Sequence, residues 1–231
     1  MKFAVINFSG NVGKSTVAKH VLKPRNGNCE VIAVESINAD DHDSEQVRGK
    51  QFGDVLEAMA LMDNVVVDIG ASNVEELIQQ MKQYRGSHED FDFFIIPTTS
   101  KKKQQRDTVS TIDALSEIGV PAKKIRLLFN MVELDEVPER VFSGLFELHE
   151  SDKSFTLNPK AVIHVNDIYG KLTSAEQTID GILNDPTDLK AQLNAATDAG
   201  EKLRLSRLIG IKRLAAGVKE ELDAVYKALV K

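Results

Sequence analysis

"FSGNVGKST", residues 8–16, decides how this chain reads. Its glycines, lysine and hydroxyls are those of a phosphate-binding loop, G-x-x-x-x-G-K-[ST]; the first glycine of that pattern would fall at position 8, which is Phe8 here. Before it, "KFAVINF" (2–8) is short, apolar and partly β-branched, the pattern of a buried strand. After it, "KSTVAKHVLK" (14–23) sets Val17, Ala18, Val21 and Leu22 at helical spacing. In a strand, glycine-rich turn and helix, backbone N–H groups converge on an anion at the helix start. Lys14 then reaches outer phosphates and the Ser15 hydroxyl ligates Mg2+. The plain alternative is a chance Gly-Lys-Ser at a helix start, against which the patterns on both sides argue.

Working outward, apolar runs alternate with helix-period segments. Strands are expected at "CEVIAVES" (29–36), "NVVVDIG" (64–70), "DFFIIP" (92–97, ended by its proline), "IRLLFNM" (125–131) and "KAVIHV" (160–165). Helices are expected over 47–62, over 73–84 with a Ser72/Asn73 cap, over 106–119 with Gly119 and Pro121 as the stop, and over 138–150 from Pro138. Such alternation implies right-handed βαβ units, hence an α/β fold with a mostly parallel sheet flanked by helices. Ligands then sit at the carboxyl ends of the strands. Beyond about residue 170 only helical patterns remain. We expect an α/β domain over 1–170 and a helical C-terminal extension over 171–231, packed on the same domain.

Composition narrows the class. The 231 residues are 42% hydrophobic and 28% charged, with a net charge of −6, which suits a globular chain and not one that coats nucleic acid with its whole surface. Cys29 is the single cysteine, which fits a reducing, cytoplasmic setting. The first apolar run is shorter than a secretory signal core, and no stretch reads as a membrane span.

Two further positions extend the site. Asp68 closes the apolar run "VVVDIG", where a carboxylate can hold Mg2+ through water opposite Ser15; a helix cap or turn is the alternative. Asn130 in "LLFNMVE" offers a donor and an acceptor that match an adenine edge, or it shapes a strand-to-helix turn.

Together these segments resemble the ParA/MinD group of P-loop ATPases, whose deviant Walker A loop commonly reads K-G-G-x-G-K-[ST]. Gly10, Gly13, Lys14, Ser15 and Thr16 match, and "VVVDIG" and "LLFNMVE" follow in the group's order over roughly residues 1–170. Within the group, the length and helical tail resemble StbB-type plasmid stability proteins. The resemblance implies a P-loop NTPase fold and binding of ATP with Mg2+ by Ser9, Gly10, Asn11, Val12, Gly13, Lys14, Ser15, Thr16 and Asn130. It also implies a nucleotide-dependent homodimer released by hydrolysis, and a partner protein in a system that segregates or positions DNA.

The chain departs from that pattern twice. The signature lysine of the group stands where this chain has Ser9, an uncharged side chain too short to reach a partner's phosphates, and Asn11 replaces a common glycine. The group's D-x-D reads Glu35, Ser36, Ile37 here; Glu35 can take the acidic place near the metal, whereas Ile37 cannot orient water. Asp40 and Asp41, in the acidic run "DDHD", are the catalytic substitutes, unless that run is simply solvated. Because phosphoryl transfer rests on positioning and charge, slow hydrolysis is expected.

Two basic stretches complete the reading. "KKKQQR" places Lys101, Lys102, Lys103 and Arg106 at a helix start, where cations are disfavoured, so an acidic protein or a DNA backbone is a candidate contact. In the tail, Leu205, Leu208, Ile211, Ala215, Val218, Leu222, Val225 and Leu229 form an apolar stripe opposite Lys202, Arg204, Arg207, Lys212, Arg213 and Lys219. Core packing is favoured for that stripe over a membrane contact. An ATP-dependent ligase or small kinase, and a non-hydrolysing ATP-switched module, are the competing functions.

Overall fold

The computed structural model describes residues 1–27, 29–34, 52–172 and 177–231. Two compact units are present: residues 1–165 with 224–231, and residues 166–223.

Among its described residues, the first unit is built on six parallel strands: β1 (Lys2–Val5), β2 (Glu30–Val34), β3 (Val65–Ile69), β4 (Phe93–Thr98), β5 (Ile125–Val132) and β6 (Val162–His164), ordered β2-β3-β1-β4-β5-β6. All five residues of β3 are buried, as expected of a strand covered on both faces and rich in valine. Strand order reverses at β1, which lies between β3 and β4. In open α/β sheets the ligand crevice forms at such a point, beyond the carboxyl ends of the strands.

Helices α1 (Lys14–Thr16), α2 (Phe52–Ala60), α3 (Val74–Gln83), α4 (Lys102–Glu117), α5 (Pro138–Val141) and α6 (Ser143–Asp152) join the strands. In α3, Val74, Leu77, Ile78 and Met81 are buried at the spacing of one helical face. Helix α4 ends at Gly119 (φ 91°), with Gly119 N–H donating to Ser116 O and Val120 N–H to Leu115 O, the bonds of a Schellman stop.

Several expectations are corrected. Pro97 lies inside β4, not at its end. Its missing N–H falls on the β1 side, where the ladder has ended, and its carbonyl there accepts from the Asn7 side chain at 2.9 Å. Helix α4 starts at Lys102, four residues before the 106–119 pattern, and the basic run forms its first turns, the helix start read for that stretch. Asn73 precedes α3 but makes no side-chain cap bond. The segment after α1 (Val17–Leu22) winds in wide π turns, with Lys23 N–H donating to Ala18 O. Pro24 has no N–H to offer His20 O, and the Arg25 guanidinium takes that carbonyl at 2.7 Å. The expected helix over 138–150 breaks at Phe142 (φ −111°, ψ 26°) into α5 and α6.

The second unit is helical over its described residues: α7 (Ile168–Lys171), α8 (Ile179–Asn184), α9 (Leu189–Ala195) and most of α10 (Ala199–Val230). Along α10, Leu205, Ala215, Val218, Leu222, Val225 and Leu229 are buried. Of its cations, Lys212 donates to Asp185 O at 2.7 Å and Lys219 pairs with Asp223 at 3.0 Å, whereas Lys202, Arg207 and Arg213 are exposed. No helix among the described residues is long and apolar enough to cross a membrane.

Phe129 is fully buried, with ring centroids 4.5 Å from Phe142 and 5.5 Å from Phe146. Phe129→Ala should lower stability by about 3–5 kcal/mol, the usual result of removing a packed core ring. Urea unfolding reads this as a lower midpoint at unchanged slope. A loss under about 1 kcal/mol would contradict the packing described.

Candidate functional site

The loop leaves β1 at Val5 and enters α1 at Lys14. Two of its residues take left-handed backbone, Asn11 (φ 56°) and Gly13 (φ 84°). Asparagine tolerates that region better than most side chains, so Asn11 preserves a turn where a glycine would be usual. Gly13 is required for a second reason: a Cβ there would overlap the Asn130 carboxamide. Gly10 has no such need, for its φ is not positive and a Cβ would meet nothing within 4 Å.

Lys14 is buried, and its Nζ folds back into the loop, donating to Ser9 O at 2.8 Å and Asn7 O at 3.1 Å. Burial pulls its pKa below the ordinary lysine value, and the charge of Asp68 opposes that shift. Asp68 is buried on β3 and in register with Val5, the last residue of β1, so its carboxylate shares the strand ends with the loop. Ser15 is exposed at the helix start and Thr16 is half-buried.

A hydroxyl and a carboxylate are hard oxygen donors that suit Mg2+. Among the described residues no three His, Cys, Asp or Glu side chains cluster as a protein cage. Glu35, Asp40 and Asp41 lie outside the described residues.

Ser9 is buried. Its N–H donates to Asn7 Oδ1 at 2.7 Å, and the Asp107 carboxylate of α4 lies near its hydroxyl. Lys103 donates to the same carboxylate at 2.9 Å, and these contacts, that of Lys103 first, hold Asp107 below the usual carboxylate pKa. Lys101, Lys102 and Arg106 are exposed on the first turns of α4. Asn130 is buried near the end of β5, and its Nδ2 donates to Val12 O at 2.8 Å, placing the side chain beneath the loop. The bulge that follows puts Met131 at φ 56° and leaves it half exposed beside Gly13.

Sequence reasoning missed the polar layer that carries the loop. Asn7 is fully buried and donates from Nδ2 to Pro97 O and to Thr108 Oγ1, both at 2.9 Å. Thr111 Oγ1 accepts from Phe8 N–H at 3.1 Å. Gln104 Nε2 donates to Gly10 O at 3.1 Å. The signal was present: Gln104, Thr108 and Thr111 recur at helical spacing on the inward face of α4.

At the level of sequence, no family model matches the chain and no curated protein does either. Among solved structures, apo McdA from Cyanothece superposes with a TM-score of 0.52 at 11% identity, covering 99% of this chain and 98% of that one. The ATP complex of a Cyanothece McdA point variant gives 0.49 at 12%, covering 96% of each chain. A plasmid partition protein of Borrelia burgdorferi bound to AMPPNP gives 0.49 at 14%, covering 74% of this chain and 87% of that one. At such identities the likeness is one of fold: the chain shares the parallel α/β fold of apo McdA.

The two loop glycines should respond differently to a methyl group. Gly13→Ala should destabilise the protein by at least ~1–2 kcal/mol from the left-handed backbone alone, with the overlap added. Gly10→Ala should stay within about 0.5 kcal/mol of the parent. Thermal melts of the two variants side by side check this, and equal losses would contradict the loop geometry.

Proposed function

We propose that this chain is a Mg-ATP-binding P-loop ATPase of the ParA/MinD kind, with slow intrinsic hydrolysis, acting in plasmid stability, segregation or intracellular positioning of DNA. The observation that carries the reading is the Lys14 ammonium, held inside a left-handed loop at a helix start with the Asp68 charge nearby. An anionic ligand entering the loop offers Lys14 better acceptors than two backbone carbonyls, because charge-assisted bonds are the stronger ones. The N–H groups of the loop and the start of α1 add partial positive charge there. Ser15 and Asp68 would hold Mg2+, which supplies neutralisation of charge on the outer phosphates.

Slow turnover follows from what this chain places at the loop. Ser9 carries no charge and is buried. Asp40 and Asp41 remain the proposed groups for orienting water, with Glu35 beside the metal. The exposed Lys101, Lys102 and Arg106, with Lys103, form a local basic patch suited to a DNA backbone or an acidic partner protein, in keeping with a segregation system. A nucleotide-dependent homodimer and a cytoplasmic setting belong to the same reading.

The uncharged Ser9 favours one second reading, in which ATP acts as a binding switch without turnover. Phosphate release measured with and without DNA separates the two. Slow, Mg2+-dependent release supports the ATPase; bound ATP with no release under any condition supports the switch.

Lys14→Ala should weaken ATP binding at least ~10-fold, since a charge-assisted bond is worth roughly 1.5–3 kcal/mol. Calorimetric titration measures it, and unchanged affinity in the folded variant would remove Lys14 from the site. Asp68→Ala should reduce the Mg2+-dependent part of ATP binding and leave metal-free binding nearly intact. Equal loss with and without Mg2+ would make Asp68 structural.

A further inference from the structure

Two buried carboxamides hold the back of the loop. Gln104 of α4 donates from Nε2 to Gly10 O at 3.1 Å and, more weakly, to Asn11 O at 3.5 Å. Asn130 of β5 donates from Nδ2 to Val12 O at 2.8 Å. Both side chains are under one tenth exposed. Carbonyl oxygens only accept, so each amide must turn its NH2 toward the loop. The Gln104 oxygen is engaged as well, by the Thr99 hydroxyl.

Peptide geometry turns these contacts into a statement about the other face of the loop. In a planar trans peptide the C=O of one residue points opposite to the N–H of the next, and the chain has no cis peptide bonds among its described residues. Holding the carbonyls of Gly10, Asn11 and Val12 toward α4 and β5 therefore turns the N–H groups of Asn11, Val12 and Gly13 away from them. Among the described residues, none accepts from those three N–H groups. Successive N–H groups facing one way make an anion-binding concavity. The absence of a side chain at Gly13 is what admits Asn130 to this position.

We propose that Gln104 and Asn130 are positioning residues that pre-organise the loop's N–H groups for the phosphate chain, and that Asn130 serves the phosphates and not the base. This rests on the reading of the loop as a nucleotide site. Without the two donors the loop would sample other backbone states, and ordering it would weaken binding. The loss would be the same for every ligand that uses the phosphate cradle, whatever base it carries.

The test is calorimetric titration of tripolyphosphate, ATP and GTP into the wild type, Gln104→Met and Asn130→Ala, at a temperature where each is folded. Each variant should bind tripolyphosphate and ATP about 10-fold more weakly, the factor set by one net hydrogen bond, with the ATP/GTP ratio of the wild type unchanged. If Asn130→Ala fails to fold, Asn130→Ser is used in its place, and Gln104→Met carries the same expectation from a different element. Variants that melt earlier but bind tripolyphosphate as the wild type does would overturn the proposal alone. So would an Asn130 variant that loses ATP over GTP discrimination while keeping tripolyphosphate. A wild type that binds none of the three would overturn the nucleotide reading, and this proposal with it.

Discussion

Where β1 ends at Val5, the chain has to carry polar backbone across the end of an apolar sheet, and every carbonyl turned toward protein there needs a donor. Four side chains supply them. Lys14 serves the carbonyls of Asn7 and Ser9, Gln104 serves that of Gly10, Asn130 that of Val12, and Asn7 that of Pro97. Each donor comes from a different element or turn, so the loop's shape depends on β4, α4 and β5 being in place. Once these carbonyls are satisfied from behind, the loop's free N–H groups are left for a ligand.

The same burial sets the electrostatics. Lys14 sits where its charge is poorly solvated, which lowers its pKa, and Asp68 offsets part of that cost. A cation held by two neutral carbonyls and one nearby carboxylate is poised to exchange those carbonyls for an anion's oxygens. Asp107 sits at the rim, near the Ser9 hydroxyl of the loop and bonded by Lys103 from its own helix. Lys103 lies at the surface and Ser9 does not, so this carboxylate links the buried loop to the exposed basic turn of α4. Among these contacts the exposed Lys103–Asp107 pair contributes little to stability, since surface pairs are worth at most about 1 kcal/mol.

Much of this was legible beforehand, for particular reasons. Valine-rich β3 and the strand of Ile125 to Val132 read correctly because both faces of a parallel strand are buried, so apolar runs are long and unbroken. Gly119 marked the end of α4 because only a residue free of a Cβ enters the left-handed turn without strain. Pro97 misled, because a missing N–H matters only when the neighbouring strand would have accepted from it, and neighbours are not visible in a sequence. The 106–119 pattern left out the first turn of α4 because three lysines obscured the inward spacing of Gln104, Thr108 and Thr111, although the basic run itself was read as a helix start.

The sequence by itself determined the alternation of strands and helices, the parallel α/β class, and the place of the glycine-rich loop between the first strand and helix. These follow from periodicity and from short-range rules of turns, which depend on neighbours in the chain. Only the tertiary structure decided which side chains hold the loop and where Asn130 turns. Gln104 lies 94 positions from Gly10, and Asn130 lies 118 positions from Val12. Such pairings are set by the order in which strands assemble, and that order is a property of the packed sheet: no local pattern of residues encodes that β4 and β5 lie on the same side of β1.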